Sequence, residues 1–176
     1  MINIDIQSLI RDYQDFPKPG VLFRDITPIF RNEHALKKIV NDFKLTYPPT
    51  EIEKVAGIES RGFILATALG FDYGKGLLLI RKAGKLPGET TTKEYSIEYG
   101  KAVMEIQKDA ITNGERVLIA DDLIATGGTA LAAANLIESL GGKVVGFAFI
   151  IELKSLKGGD ILRNKGYKVN SLVTYS

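Results

Sequence analysis

Residues 116–153 read RVLIADDLIATGGTALAAANLIESLGGKVVGFAFIIEL, and this stretch predicts the fold of the chain. It begins with an apolar strand, Arg116–Ala120, continues into a helix from about Thr129 to Leu140, and ends with a long apolar strand, Val144–Leu153. The dipeptide Gly141-Gly142 stops the helix before the second strand. A strand, a helix and a strand in this order predict a parallel sheet with right-handed crossovers.

The same alternation extends upstream of this stretch. Val55–Ile58 and Gly76–Arg81 are predicted to be buried strands, and Gly62–Leu69 is predicted to be the helix between them. The fold class is therefore α/β. Ligands of such sheets bind at the carboxyl ends of the strands, so we expect functional residues after Ile58, Arg81 and Ala120.

The first 43 residues predict two helices separated by a loop. Apolar residues three and four apart indicate an amphipathic helix that ends before Phe16-Pro17; they are Ile6, Leu9, Ile10 and Tyr13. Residues 16–30 carry three prolines among large apolar side chains, which predicts an ordered extended loop. A second helix is predicted from Asn32 to about Phe43, with His34 in its first turn as a solvated side chain.

The segment Lys82–Gly100 is long, polar and contains several glycines. Connections of this length are uncommon inside a domain and are often lids or binding loops, so a flexible lid is predicted here. The alternative is a plain hairpin with an irregular tip.

The composition of the chain excludes several classes of binding site and partner. A chain of 176 residues with 45% hydrophobic content suits a single domain, residues 1–176. The 23 Lys and Arg against 21 Asp and Glu give a net charge of +2, which excludes a broad basic field for nucleic acid. With no cysteine and one histidine, disulfides, thiolate zinc sites and HExxH metal sites are excluded.

The apolar stretches are short. The longest, around Val144–Ile151, is far below the roughly 20 residues of a transmembrane helix. Residues 1–16 carry three aspartates and lack the basic and apolar regions of a secretory signal. We expect a soluble, cytoplasmic protein with no membrane or nucleic-acid partner.

Two adjacent carboxylates, Asp121 and Asp122, follow the strand that ends at Ala120. The next residues form a small loop whose N–H groups and hydroxyls can surround a phosphate at the start of a helix: Ala125, Thr126, Gly127, Gly128 and Thr129. Carboxylates accept hydrogen bonds from vicinal hydroxyls, so the combination predicts a ribose 5-phosphate site. The alternative is a capped turn; neither a Walker loop nor a GxGxxG motif is present.

Val117–Ala130 resembles the phosphoribosyl-diphosphate signature of the type I phosphoribosyltransferases, including the acidic pair and the Ala-Thr-Gly-Gly-Thr loop. Other segments resemble the adenine phosphoribosyltransferases within that family. They occur in the family's order along the chain, at residues 16–28, 57–63, 81–88, 98–101 and 152–158.

This resemblance implies the type I phosphoribosyltransferase fold, a central, mostly parallel twisted sheet flanked by helices. It also implies a small N-terminal helix and base-binding hood at residues 1–33, the flexible lid at 82–100, and a homodimer. The implied reaction is purine salvage: 5-phosphoribosyl 1-diphosphate and adenine give AMP and diphosphate. Mg²⁺ is the implied cofactor, held mainly by the substrate rather than by direct protein ligands.

The resemblance also assigns roles to residues of this chain. The phosphoribosyl-diphosphate site would include the acidic pair, the loop 125–129, Tyr99 over the ribose, and a group near the diphosphate: Glu59, Ser60, Arg61, Arg81, Lys82 and Lys85. Arg61 and Lys82 would stabilise the leaving group, and Arg81 could act across the dimer interface. A cis peptide bond is implied within Glu59-Ser60-Arg61.

For the base, the resemblance implies a stacking ring, Phe23, with main-chain recognition by Leu22 and Arg24. Glu98 would manage the proton on N7 of adenine. Two alternatives stay open: a transferase for another purine base, which the loop 16–28 argues against, and a non-catalytic sensor of phosphoribosyl diphosphate. A sensor would need a DNA-binding module or a basic RNA-binding face.

Overall fold

The structure, a computed structural model, describes residues 4–97 and 100–176. Its strands are β1 (Arg11–Tyr13), β2 (Phe23–Asp25), β3 (Lys54–Ile58), β4 (Gly76–Lys82), β5 (Thr90–Ile97), β6 (Gly100–Gln107), β7 (Arg116–Ile124), β8 (Lys143–Leu153) and β9 (Val169–Tyr175). Its α-helices are α1 (Thr27–Phe30), α2 (Glu33–Thr46), α3 (Gly62–Tyr73), α4 (Gly128–Ser139) and α5 (Gly158–Asn164). Short 3-10 helices cover Gln7–Leu9, Pro49–Glu51 and Lys154–Leu156.

Seven strands form the central sheet in the order β5-β6-β4-β3-β7-β8-β9. Five neighbouring strands pair in parallel, in the order β4-β3-β7-β8-β9. The other two, β5 and β6, form an antiparallel hairpin at the β4 edge of the sheet. The predicted α/β class with a mostly parallel sheet is confirmed.

A hydrophobic core lies on each face of the sheet. Side chains alternate between the two faces of a strand, so Leu118 and Ala120 of β7 join the core that contains the buried residues of α2 and α3. Val117 and Ile119 join the opposite core, which contains those of α4. Because this part of β7 is covered on both faces, residues 117–120 are apolar without alternation, as expected of a buried strand.

The predicted helices after residue 30 are confirmed with small changes of boundary. Asn32 is the N-cap of α2, and its side chain accepts hydrogen bonds from the N–H groups of His34 (3.0 Å) and Ala35 (3.1 Å). His34 is exposed, as expected. α4 ends at Ser139, just before Gly141, which adopts a left-handed φ of 86°.

The predicted opening helix is wrong. Only Gln7–Leu9 forms a helical turn, of the 3-10 type, and the chain then enters β1, which pairs antiparallel with β2. Ile6 is buried in the core, but Tyr13 is 48% exposed, so the four apolar residues do not share one buried face. An ion pair between Asp12 and Arg24 also joins the two strands, so pairing with a distant segment replaces the helix that the local spacing predicts.

The segment expected to be a polar loop is also different in the structure. Residues 90–97 form β5, which pairs with β6 from Thr90 opposite Gln107 to Ile97 opposite Gly100. Threonines and an aromatic residue favour strands, and the buried Met104 and Ile106 fix β6 to the core. The hairpin alternative therefore describes this segment, and residues 83–89 form the loop between β4 and β5. Whether the hairpin acts as a lid stays a prediction.

Tyr47, the residue after α2, joins the end of this helix to β8. Its buried hydroxyl donates a hydrogen bond to the Phe147 carbonyl at 2.8 Å, and burial raises the pKa of the phenol. We expect Tyr47→Phe to lower the free energy of unfolding by about 1 kcal/mol in urea titrations, the usual net value of such a bond. Tyr13→Phe, at an exposed site, is the matched control; an equal effect of both changes would contradict this role.

Candidate active site

Two adjoining cavities open at the carboxyl ends of β3, β4 and β7. The larger, a cleft of about 390 Å³, is lined by Glu59, Ser60, Arg61, Lys82, Tyr95, Met104, Asp121, Asp122, Leu123 and Thr129. The smaller, of about 110 Å³, is lined by Asp121, Leu123, Ile124, Ala125, Thr126, Gly127, Gly128, Thr129, Ala130 and Phe149. Asp121, Leu123 and Thr129 line both, so Asp121 lies at the junction between the cavities, and Asp122 lines the larger cleft beside it.

The acidic pair lies within β7 rather than after it. β7 was predicted to end at Ala120, but it continues to Ile124 because Leu123 and Ile124 pair with Ile151 and Glu152 of the long strand β8. Asp122 is 5% exposed, and its N–H donates to Asp121 Oδ1 at 2.8 Å. Burial raises the pKa of Asp121 well above its usual range, and the adjacent Asp122 carboxylate raises it further.

The close approach of α3 to this pair depends on Gly62. A Cβ at this position would lie 2.8 Å from both the Ala120 carbonyl oxygen and Asp121 Oδ1. A glycine at the start of α3 therefore allows the helix to pack against the end of β7, and it holds Arg61 beside the acidic pair.

Arg61 connects three parts of the site. Its Nε lies 2.8 Å from Asp122 Oδ2, and the side chain is about half exposed toward the cleft. Its guanidinium carbon also lies 5.3 Å from the ring centroid of Phe23, one of the predicted base-binding residues. The predicted cation, the predicted ribose acceptor and the predicted stacking ring are therefore neighbours.

The predicted phosphate loop surrounds the smaller cavity. Gly127 has a left-handed φ of 83° and is the N-cap of α4, which begins at Gly128. This conformation suits glycine, and the N–H groups at a helix start carry partial positive charge without an intrahelical partner. All five predicted residues, 125–129, line this cavity.

Glu59, on the opposite side of the cleft, binds the side chain of Arg81 and the main chain of Lys82. Its carboxylate accepts hydrogen bonds from the Lys82 N–H at 2.9 Å and from the Arg81 guanidinium at 3.2 and 3.3 Å. Arg81 also donates to the Lys85 carbonyl at 3.1 Å, so its side chain is held within its own chain here. The peptide bond between Glu59 and Ser60 is cis, which confirms the bond implied by the resemblance.

The three predicted base-binding residues occupy β2 and the residue before it. The Phe23 ring contacts Phe16 edge to face, with 5.1 Å between centroids. The guanidinium of Arg24 stacks 3.8 Å from the ring centroid of Tyr175 and pairs with Asp12, so it is directed away from Arg61. Glu98 and Tyr99 lie outside the described residues.

Residues 4–97 and 100–176 contain no group of three or more histidine, aspartate or glutamate side chains that could hold a metal ion. Two carboxylates of the cleft instead pair with cations of the same chain, Asp122 with Arg61 and Glu59 with Arg81. Within the same part of the chain, no helix is long and apolar enough to cross a membrane.

Comparison with known proteins agrees with this geometry. Residues 26–171 match the phosphoribosyl transferase domain family. The chain is 55% identical to an adenine phosphoribosyltransferase of Nitrosopumilus maritimus over 98% of its own length and 100% of the relative's. The chain belongs to the phosphoribosyltransferase family, among the adenine phosphoribosyltransferases.

Solved structures of the family share the fold. The adenine phosphoribosyltransferase of Rhodothermus marinus superposes with a TM-score of 0.90 at 43% identity, covering 97% of this chain and 96% of that one. The Saccharomyces cerevisiae enzyme, solved with adenine and an imino-altritol bisphosphate, gives a TM-score of 0.88 at 41% identity, covering 95% and 96%. The predicted type I phosphoribosyltransferase fold is confirmed.

One buried carboxylate near the site was not predicted from the sequence. Glu105 of β6 is 4% exposed and accepts hydrogen bonds from the N–H groups of Lys85 (2.7 Å) and Leu86 (2.8 Å). Burial acts to raise its pKa, but the main-chain hydrogen bonds outweigh burial and the pKa is lowered. The available signal was a single acidic residue between the apolar Met104 and Ile106. Tyr95 and Met104, which line the cleft, were also missed.

Glu105 gives a pH-dependent prediction. Because folding lowers its pKa, its stabilising effect is present above the ordinary pKa of about 4.3 and is lost as the pH falls through the lower folded-state value. Glu105→Gln should therefore destabilise the protein by about 1 to 3 kcal/mol near pH 7 in urea unfolding, and the difference should shrink toward pH 3. Glu89→Gln, at an exposed site in the same region, is the control. A difference that stays constant with pH would contradict a role for the charge.

Proposed function

We propose that this chain transfers the 5-phosphoribosyl group of 5-phosphoribosyl 1-diphosphate to adenine, giving AMP and diphosphate, in purine salvage. The observation that carries the proposal is Asp121 at the junction of the smaller cavity, which the loop 125–129 surrounds, and a cleft lined by Asp122, Arg61 and Lys82. The names of the relatives and the adenine in the yeast neighbour support the choice of base.

The smaller cavity would hold the 5-phosphate. Loop N–H groups and the hydroxyls of Thr126 and Thr129 donate hydrogen bonds, and the start of α4 favours the negative charge. The ribose would then lie over Asp121 and Asp122, whose carboxylates accept hydrogen bonds from its hydroxyls. Since Arg61 pairs with Asp122 at 2.8 Å, the hydroxyls would replace or share that contact.

The chemistry would take place in the larger cleft. The bond between the anomeric carbon and the diphosphate oxygen breaks, the electron pair leaves with diphosphate, and N9 of adenine bonds to the carbon. Positive charge develops on the sugar and negative charge on the leaving group, which Arg61 and Lys82 would stabilise. Ser60, Arg81 and Lys85 would complete the diphosphate side. Glu59 would hold the Arg81 guanidinium and the main chain of Lys82 in place.

The base would bind on the hood side of the cleft. Phe23 is positioned for stacking because its ring already lies beside the Arg61 guanidinium at 5.3 Å. The main chain of Leu22 and Arg24 would read the edge of the base, since the Arg24 side chain is engaged by Asp12 and Tyr175. Glu98 would take the proton that adenine loses at N7 as N9 reacts, and Tyr99 would cover the ribose.

Mg²⁺ would arrive bound to the diphosphate and ribose hydroxyls, where it neutralises phosphate charge. The pairing of Asp122 with Arg61 and of Glu59 with Arg81 supports this, because both carboxylates already have cationic partners. A homodimer, with Arg81 acting within or across the interface, and a cytoplasmic location remain predictions.

Base specificity tests the proposed activity itself. Purified protein incubated with phosphoribosyl diphosphate and Mg²⁺ should convert radiolabelled adenine to AMP, and should leave hypoxanthine, guanine and xanthine unchanged. Conversion of another base instead of adenine would replace the proposed substrate. No conversion of any base, with binding of phosphoribosyl diphosphate retained, would favour the sensor alternative.

The acidic pair tests the ribose site. Asp122→Asn, alone and combined with Asp121→Asn, should weaken binding or turnover of phosphoribosyl diphosphate by roughly ten- to a hundred-fold per lost charged hydrogen bond, with the fold retained. Calorimetry and steady-state kinetics measure this effect, and circular dichroism monitors the fold. Asp72→Asn, at a partly exposed ion pair on α3, is the matched control. Kinetics of the double variant near those of the wild type would remove the pair from the site.

Glu98 tests the chemical step. Glu98→Gln should lower the rate of single-turnover AMP formation by about 10² to 10⁴, the usual contribution of a positioned acid or base, while the affinity for phosphoribosyl diphosphate changes little. Glu94→Gln, on β5 of the same hairpin and paired with Lys101, is the control. An unchanged single-turnover rate would leave the proton transfer to water.

A further inference from the structure

The segment that follows β8 lies directly behind the phosphate loop. Lys154–Leu156 form a 3-10 turn, Lys157 adopts a left-handed φ of 59°, and α5 begins at Gly158. The N–H of Gly158 donates a hydrogen bond to the Ala125 carbonyl at 2.9 Å.

The contact between Gly158 and the loop is main chain against main chain. A Cβ on Gly158 would lie 2.2 Å from the Ala125 carbonyl oxygen, 2.5 Å from the Gly127 nitrogen and 2.8 Å from the Thr126 carbonyl carbon. A Cβ on Gly127 would in turn lie 3.0 Å from the Gly158 carbonyl oxygen. Backbone atoms cannot rotate out of the way as a flexible side chain can, so any side chain at position 158 must displace the loop.

A partly buried ion pair holds the helix that begins at Gly158. Glu152, at the end of β8, is 3% exposed and accepts two hydrogen bonds from Arg163 of α5, at 2.8 and 2.7 Å. A Cβ on Gly159 would lie 2.1 Å from Glu152 Oε1, so the start of α5 packs closely against this carboxylate. The pair joins α5 to the central sheet, and α5 then supports the loop from behind.

We propose that Gly158 is a positioning residue for the 5-phosphate: it fixes the backbone of residues 125–127 so that the loop N–H groups converge on the phosphate. The Glu152–Arg163 pair holds Gly158 at the required distance. This inference rests on the proposed function of the loop 125–129. It assigns part of the affinity for phosphoribosyl diphosphate to a residue that does not line the smaller cavity.

Gly158→Ala tests the proposal. A shift of about 1 Å in a positioning element can reduce activity by about a hundred-fold, so we expect the KM for phosphoribosyl diphosphate to rise roughly ten- to a hundred-fold. The KM for adenine and kcat should change little, because the base and leaving-group residues lie on other segments. Calorimetric titration with AMP should show a matching loss of affinity. Damage to the whole structure would instead raise both KM values and lower kcat.

Two further variants keep the test decisive. Gly76→Ala is the matched control, because a Cβ there meets only the Lys54 side chain at 3.9 Å. Arg163→Lys keeps the charge but loses the two parallel hydrogen bonds to Glu152, and it should raise the KM for phosphoribosyl diphosphate in the same selective way, to a smaller degree. If Gly158→Ala does not fold, the KM of Arg163→Lys for phosphoribosyl diphosphate decides whether the proposal holds. An unchanged KM, or an equal rise for adenine, overturns the proposal.

The combined change Thr126→Val and Thr129→Val separates this inference from the proposed function. If this loop variant binds AMP as the wild type does, the assignment of the 5-phosphate to residues 125–129 fails. If it loses affinity while folded Gly158→Ala and Arg163→Lys do not, only the positioning role fails.

Discussion

The parallel pairing of β7 between β3 and β8 is the constraint on which the rest of the structure depends. This pairing buries both faces of β7. It also places the carboxyl ends of β4, β3 and β7 side by side at one end of the sheet. The acidic pair, Arg61 at the end of β3 and Lys82 at the end of β4 converge there for that reason. The length of β8 matters equally, because it extends β7 to Ile124 and places the acidic pair within a strand.

Sequence patterns predicted the elements whose signals are local. Apolar runs predicted the central strands, and the spacing of carboxylates, threonines and glycines predicted the residues around the smaller cavity. The opening helix failed because β2 offers residues 11–13 a strand partner that no local pattern reveals. Residues 90–97 of the predicted loop at 82–100 form a strand for the same reason, because they pair with β6.

The supporting residues could not be predicted, because their partners are distant in the chain. Glu105 binds the main chain of Lys85 and Leu86, and main-chain N–H groups carry no sequence signature. The role of Gly158 likewise depends on atoms of Ala125 and Gly127, about thirty residues upstream. Glycine at position 158 is evident in the sequence, but the backbone that approaches it is visible only in the fold.

The two sides of the proposed site differ in the groups that face the ligand: main-chain N–H groups on one side and side-chain cations on the other. On the proposed phosphate side, neutral main-chain N–H groups and two threonine hydroxyls would do the binding. What must be fixed there is the path of the backbone, and Gly127 packed against Gly158 fixes it. On the proposed diphosphate side, side-chain cations would do the binding and would repel one another without partners. Asp122 pairs with Arg61 and Glu59 pairs with Arg81, which offsets that repulsion. Charged hydrogen bonds hold the cations and close packing holds the loop, so most of the ordering is complete before the substrate binds.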